Sequence, residues 1–589
     1  MKGLFKKASI LLALLVAAIM VTACSGDDND AHDYWPGHIT VDLFNDAHTG
    51  FAGIQPGWFG QVVNERFNMD INHIGAPDGE FELIFSTRAA AGNLGDLIFV
   101  GQPRMHEVIE AGLVINITDQ VNNNMPYYTS QFPGAVERAR TFSLSGEIYA
   151  LPTDVTTQSR TQPRFTGIHV ARSPWLRFDV YQAIGAPTID TLEDLLPVLA
   201  AMQEYMPYTE TGRRTYGFSL FGDWDGLVMA QAEWFDQMYG LTRFLGPAAL
   251  SVDPINHRVE SRIDNDGIYK RGLRLLFNAN QMGLVDPDSP TQNFDMVSDK
   301  GAEGAVLFSW YNWLVASRFN SAVIDEDNDP YFTNAHVGVG YTFVPIMDQT
   351  VLIPSMNPNG TDMLIAIGPS ATDVDRLIAF IDWMASPDGH EVVTLGPEGM
   401  AWEMVGGEPV VTALGIEGGL HTVAFQPAAV PEEWGGSTFS DGSWQGRSTI
   451  VNRWGGQEMN PNRGFTFDPR HWPSQHRETT VLEANWTERF GAANQVEWLL
   501  EHDMLVARPA IDFNIPEDPS ELSIIRGEVG PIIQSASWRM VFASDEAEFN
   551  QIWAEMREIA YGLGWQQLVD FEYQIAQDYF AAQRAAMGN

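Results

Sequence analysis

Apolar and polar positions change their spacing several times along this chain, and each change marks an element. Ile39-Thr40-Val41-Asp42-Leu43-Phe44 alternates in part and is rich in strand-forming residues, so it predicts a strand. Asn45 to Gly50 reads as a loop, Phe59 to Phe67 suits a helix, and Met69 to Ile74 predicts a second strand. Leu97-Ile98-Phe99-Val100 is a short continuous apolar run, the pattern of a strand buried on both faces, and Gly101-Gln102-Pro103 ends it. Val108 to Leu113 is helical, with Gly112 near its end.

Farther on, Thr191-Leu192-Glu193-Asp194 reads as a capping box opening a helix with Leu192, Leu195, Leu196 and Leu199 on its apolar face. Pro197 falls inside that helix and should kink or weaken it. Leu377 to Met384 is another helix, stopped by Pro387 and Gly389. From Asp545 to about Ala586 the pattern is strongly helical. Residues 405–480 are rich in Gly, Trp, Pro and Asn and read as long loops packed around aromatics, which are often functional. The alternation of β and α implies an α/β architecture with largely parallel sheets.

The N-terminus carries different information. A basic start (Lys2, Lys6, Lys7) precedes an apolar run from Ile10 to Val21 and the small residues Thr22-Ala23 before Cys24. The run is about 12 residues, short of the roughly 20 that span a bilayer. Val21-Thr22-Ala23-Cys24 resembles a bacterial lipobox, in which the peptide is cut before the cysteine and the cysteine is acylated. The expectation is a signal peptide over 1–23 and an acylated, acidic tether over 24–36, which place the body outside the cytoplasmic membrane.

Cys24 is the only cysteine, which excludes intramolecular disulfides and thiolate metal sites. The formal net charge is -42, and the cationic leader makes the mature chain more negative still. Such a field repels nucleic acid. Lys270 and Lys300 are the only lysines beyond the leader, so nearly all cations are arginine. That bias fits a saline or alkaline habitat, the alternative being an acidic surface shared by relatives.

Several segments resemble one family. Ser145-Gly146-Glu147-Ile148-Tyr149-Ala150-Leu151-Pro152 is similar to the GKIYGLP signature of bacterial extracellular solute-binding proteins, family 1. Ala171-Arg172-Ser173-Pro174-Trp175-Leu176 with Gly185-Ala186-Pro187-Thr188, Thr215-Tyr216-Gly217-Phe218, Phe380-Ile381-Asp382-Trp383 with Ser386-Pro387-Asp388-Gly389, and Gly396-Pro397-Glu398-Gly399 resemble further motifs in the same order. The resemblance runs from the lipobox to the C-terminal helices. It implies a periplasmic-binding-protein-like fold: two α/β lobes joined by hinge-crossing strands, with ligand in the cleft between them. The expected division is 37–160 plus about 345–404 for the N-terminal lobe and 161–344 plus about 405–589 for the C-terminal lobe. One departure concerns a loop that looks able to hold calcium in many relatives. Here that stretch, Met206 to Gly217, has Glu210 as its only acid and adds Arg213 and Arg214, so no metal and no cofactor is expected.

A sugar offers apolar C–H faces and paired hydroxyls, which suit aromatic rings and polar side chains. Ligands of open α/β sheets bind beyond the carboxyl ends of strands. That places Asn45 and Asp46 after the first strand, Gln102 after the third, and Asp154 near the first hinge crossing. Asn45 and Asp46 equally suit a plain turn, and Gln102 a helix cap. Among 18 tryptophans, the loop-borne or clustered ones are candidates: Trp224 in Gly222-Asp223-Trp224-Asp225-Gly226, Trp310 with Tyr311 in Ser309-Trp310-Tyr311-Asn312-Trp313, Trp402 with Glu403, and Trp444. For each, a core role is the alternative; Trp383 and Trp175 read as core. Arg88, Arg160 and Arg164 suit either a surface ion pair or an acidic sugar held bidentately.

The chain contains no G-x-S-x-G, H-E-x-x-H, Walker A or G-x-G-x-x-G pattern. The expected function is that of a non-enzymatic, monomeric, lipid-anchored receptor delivering an oligosaccharide to the permease subunits of an ABC transporter. A surface-anchored glycoside hydrolase or lyase, and a sugar sensor coupled to a membrane kinase, stand as alternatives.

Overall fold

In the computed structural model, which describes residues 35–45, 51–75, 81–165, 169–170, 172–242, 249–324, 332–420, 425–446, 448–452, 458–472, 479–516 and 518–588, the chain builds two lobes. Cys24, the leader and Asp46 lie outside the described residues.

The first lobe is organised by Ile39–Asn45 (β1), Gly53–Ile54 (β2), Met69–Ile74 (β3), Leu97–Gly101 (β4), Ala150–Pro152 (β5) and Met363–Ile367 (β12). They form one sheet in the order β2-β3-β1-β4-β12-β5. β1 pairs in parallel with β3 and β4, and β12 runs antiparallel between β4 and β5. Because side chains alternate across a strand, β4 feeds two cores. Leu97 and Phe99 enter one, with Val41, Leu43 and Ile71; Ile98 and Val100 enter the other, with Phe44 and Phe85. Cover on both faces accounts for the uninterrupted apolar run.

The second lobe holds Arg172–Arg177 (β6) between Tyr341–Phe343 (β10) and Phe308–Tyr311 (β9), all antiparallel. This corrects the expectation of largely parallel sheets: in this lobe the parallel contacts near the sheet are single bridges such as Tyr216 to Val306 and Phe218 to Val285. Most of its core is helical: residues of Ile268–Gln281, Ser520–Val541, Glu546–Gly562 and Trp565–Met587 share one hydrophobic core with β9 and β10. The hairpin Leu250–Asp253 (β7) and Arg258–Ser261 (β8) rests on the last helix through Val252, Ile575 and Tyr579.

Residues 405–480 were expected in this second lobe, but described aromatics of this stretch fill the first. Phe439, Trp444, Phe465 and Trp472 share a core with Trp58, Phe59 and Phe99, as does the hairpin Trp402–Val405 (β13) with Glu408–Val411 (β14). Trp58 donates to the Phe439 carbonyl at 3.2 Å, and Gln55 donates to the Ser443 carbonyl at 2.8 Å. Gly57, at φ +62°, lets this segment approach closely: a Cβ there would lie 2.5 Å from Gly442 Cα. Local pattern identifies loop aromatics but not the core they enter.

Two helix readings change. Pro197 lies in the first turn of Leu195–Tyr205, where no intrahelical N–H bond is lost, so it fits without a kink. Pro387 both ends Val374–Ala385 and opens Pro387–Leu395, with Ser386 capping Gly389 N–H at 3.1 Å.

The lobes are joined by a ribbon of three chain segments. The first follows β5, the second follows Val351–Pro354 (β11), and the third follows Leu505–Arg508 (β15), which pairs in parallel with β11. Arg164 N–H bonds Pro354 O at 2.9 Å, Met356 N–H bonds Gln162 O at 2.8 Å, Ser355 N–H bonds Arg508 O at 2.9 Å, and Ala510 N–H bonds Arg160 O at 2.9 Å. The crossing expected near Asp154 is therefore laced to two others.

Candidate functional site

The parallel course of β1, β4 and β5 brings their carboxyl ends to one edge of the first sheet, together with the start of β12. Register places Asn45 opposite Phe99, Gly101 opposite Met363 and Pro152 opposite Leu364. Asn45, Gln102 and Asp154 thus share this edge. Asn45 is 3% exposed. Gln102 makes no capping bond, although it opens a short helix. Its N–H bonds Asp362 O at 2.7 Å, while its buried Oε1 has no hydrogen-bond partner among the described residues. At the neighbouring end of β3, His73 packs on Phe51 and Trp444 and bonds Gln55 Oε1 at 3.1 Å. Burial lowers its pKa to about 4. Sequence gave no sign of His73 or Gln55, because their roles depend on a loop nearly 400 residues away in the chain, whose Gln445 N–H also bonds Gln55 at 3.0 Å.

In the second lobe the end of β9 meets an aromatic cluster. Trp224 stacks on Phe294 with centroids 4.9 Å apart and planes 22° apart, and it contacts Trp313 at 5.6 Å and Trp234 at 6.0 Å. Tyr311 lies beneath, 4.7 Å from Trp234 and 4.8 Å from Trp313, with the Arg172 guanidinium 5.1 Å above its ring. Trp224 remains 40% exposed, whereas Tyr311 is buried. The loop is fixed by its acids: Asp223 accepts from Phe294 N–H at 2.7 Å, and Asp225 accepts from the Trp538 indole at 2.7 Å and Ala230 N–H at 2.8 Å. Burial raises the Asp225 pKa to about 6, aided by the nearby Glu233 and Asp223.

Three proposed contact tryptophans are core residues instead, each at 4% exposure or less. Trp310 sits 4.3 Å from Phe235 and 4.4 Å from Phe308, on the strand face opposite to its neighbour Tyr311. Trp402 donates to Gly396 O at 2.9 Å and packs on Phe465 and Trp472. Trp444 donates to Ser448 O at 2.9 Å and packs on Phe59. Glu403 is exposed on the β13–β14 hairpin. Trp175 and Trp383 are buried, in line with their core reading.

Beside the hinge ribbon lies a cavity of about 180 Å³, lined among others by Asp154, Arg164, Asn357, Asp362, Arg508 and Tyr579. Asp154 adopts φ +53°, a left-handed conformation that Asp tolerates better than most residues. Burial pushes its carboxyl above the usual range, against the pull of Arg164 and the Thr449 bonds. Tyr579 hydrogen-bonds Arg508, and burial raises its phenol. Arg508 and Tyr579 carried no sequence signal, since one ends a short strand and the other lies mid-helix.

No protein-family model matches the chain, and no curated protein matches it in sequence. Solved structures do match. An HMO-binding, ABC-transporter-associated solute-binding protein from Bifidobacterium longum infantis superposes with TM-score 0.57 at 13% identity, over 92% of this chain and 99% of that one. The chain has the fold of the solute-binding proteins. The S. pneumoniae ABC-transporter substrate-binding protein FusA, in complex with kestose, gives TM-score 0.56 at 14% identity over 93% and 100%. The alginate-binding protein AlgQ2, without calcium ion, gives 0.55 at 14% over 92% and 99%. The two-lobed, hinge-crossed architecture implied by the sequence motifs is thereby established, and these neighbours are binding proteins rather than enzymes. No described helix is long and apolar enough to cross a membrane.

Proposed function

We propose that this protein is an extracytoplasmic receptor that captures an oligosaccharide and delivers it to the permease subunits of an ABC transporter, anchored to the membrane through acylated Cys24. The observation that carries the reading is the half-exposed Trp224 platform at a strand end of one lobe, in a fold whose other lobe presents Asn45, Gln102 and Asp154 along one sheet edge. A flat aromatic surface suits the C–H face of a sugar ring, and the unpartnered Gln102 Oε1 suits a hydroxyl donor. Bonded chain crossings between the lobes favour closure around the ligand by a hinge. The neighbours' own ligands, kestose and alginate among them, support the carbohydrate class.

The receptor acts as a monomer, and the lipid tether keeps the loaded cleft beside its permease. Calorimetry of the mature protein against a glycan panel tests this. Saturable heat with unchanged glycan on chromatography supports a receptor; release of shortened products would establish the hydrolase or lyase instead.

A further inference from the structure

We infer that the cavity beside the hinge ribbon is a binding site for a sugar carboxylate, held by Arg164 and Arg508. This rests on the reading of the chain as a carbohydrate receptor and names the charge class of its ligand: a glycan bearing a uronate.

The three arginines singled out in the sequence part company in the structure. Arg88 lies 3.9 Å from Asp42 and donates to Leu94 O at 2.8 Å. Arg160 lies 3.8 Å from Asp512. Arg164 has no carboxylate oxygen within 4.0 Å of its guanidinium among the described residues, although it is partly buried and lines the cavity. Asp154, on the same cavity lining, is the acid its charge acts on, but the two form no ion pair within 4.0 Å. Such a guanidinium gains most from an anionic partner that enters later.

The acids around the cavity do not cancel this charge. Asp362 is engaged by Arg138 at 2.5 Å. Asp154 accepts from Thr449 Oγ1 at 3.4 Å, and burial pushes its carboxyl above the usual range; it stands as one acid against two arginines on the lining. Arg508 bonds the Tyr579 phenol, which burial keeps protonated. The lining therefore offers guanidinium donors, a phenol and the amides of Asn357 and Asn452 around a space of about 180 Å³. A single water needs only about 10–15 Å³, so the space takes a larger group. A carboxylate matches the planar guanidinium fork, and its single charge is tolerated better than a phosphate dianion in so acidic a protein. Arg164 and Arg508 sit on different crossing segments, so one carboxylate bridging them would tie ligand charge to the hinge.

Calorimetry with matched disaccharides, ended by glucuronate or glucose and by galacturonate or galactose, tests the assignment, with acetate as a third arm. We expect the uronate of at least one pair to bind at least tenfold more tightly than its neutral partner. Arg164→Gln should remove that preference while leaving the melting temperature unchanged, and Arg164→Lys should restore part of it. Equal affinity within both pairs, or a preference that survives Arg164→Gln, overturns the inference while leaving the receptor reading intact. Acetate binding as tightly as the uronates overturns the assignment to a sugar. Absence of binding by every glycan overturns both readings together.

Discussion

Replacing Trp224 by Ala separates a binding surface from a packing residue. Its ring is 40% exposed, and the rest packs on Phe294, Trp313 and Trp234. An aromatic contact contributes about 0.5–1.5 kcal/mol beyond its buried area. Loss of that contact should therefore weaken oligosaccharide binding by roughly two- to twelve-fold in Kd. Deleting a fully buried Trp costs roughly 3–5 kcal/mol of stability, so the partly exposed Trp224 should cost about 2–3 kcal/mol. Trp310→Ala makes the contrast. That ring is 3% exposed between Phe235 and Phe308, so its removal should lower stability by the full ~3–5 kcal/mol. The surviving folded fraction should retain near-normal affinity. The assay is calorimetric titration at a temperature where urea unfolding shows both variants folded, with Trp224→Phe as a conservative control. Unchanged Kd in Trp224→Ala, or a greater affinity loss in Trp310→Ala, would refute the assignment of the platform.

The remaining predictions concern buried ionisable groups. His73 is held neutral to about pH 4, whereas the unfolded chain protonates it below about pH 6.5, so its contribution is complete above 6.5 and is lost as pH falls towards 4. The loss amounts to about 3 kcal/mol, and His73→Gln should flatten that acid limb in urea titrations. Asp225 has the opposite sign: its folded pKa of about 6 exceeds the unfolded value, so its effect is to lower stability as pH rises from about 4 to 6, a slope that Asp225→Asn should remove. Arg262 is fully buried and pairs with Glu233 and Asp236, each at 2.9 Å. Arg262→Met should destabilise by about 3–5 kcal/mol at pH 7, because it strands two buried acids. Denaturant midpoints equal to those of the parent would contradict that account.

Local pattern carried much of this protein. The strands at Ile39, Met69 and Leu97, the helices ending near Phe67 and Ala385, and the helical C-terminus were legible because side-chain spacing is set by the residue's own backbone period. So were Asn45 and Gln102 after strand ends and Asp154 near a crossing, since strand ends follow from strand direction, and Trp224, whose loop setting matched its exposure. Folding decided the rest. Trp310 and Tyr311 are adjacent in sequence, yet opposite strand faces send one to the core and the other beneath the aromatic platform. Trp402 and Trp444 share the composition of surface loops but close the first lobe's core: Phe439 packs on Trp58 and Trp444 on Phe59, and Trp402 shares that core. Arg88, Arg160 and Arg164 were equivalent in the sequence, and only distance to an acid distinguishes them. Which aromatic is accessible, and which cation is unmatched, are properties of neighbours brought together from hundreds of residues apart, and no period along the chain encodes them.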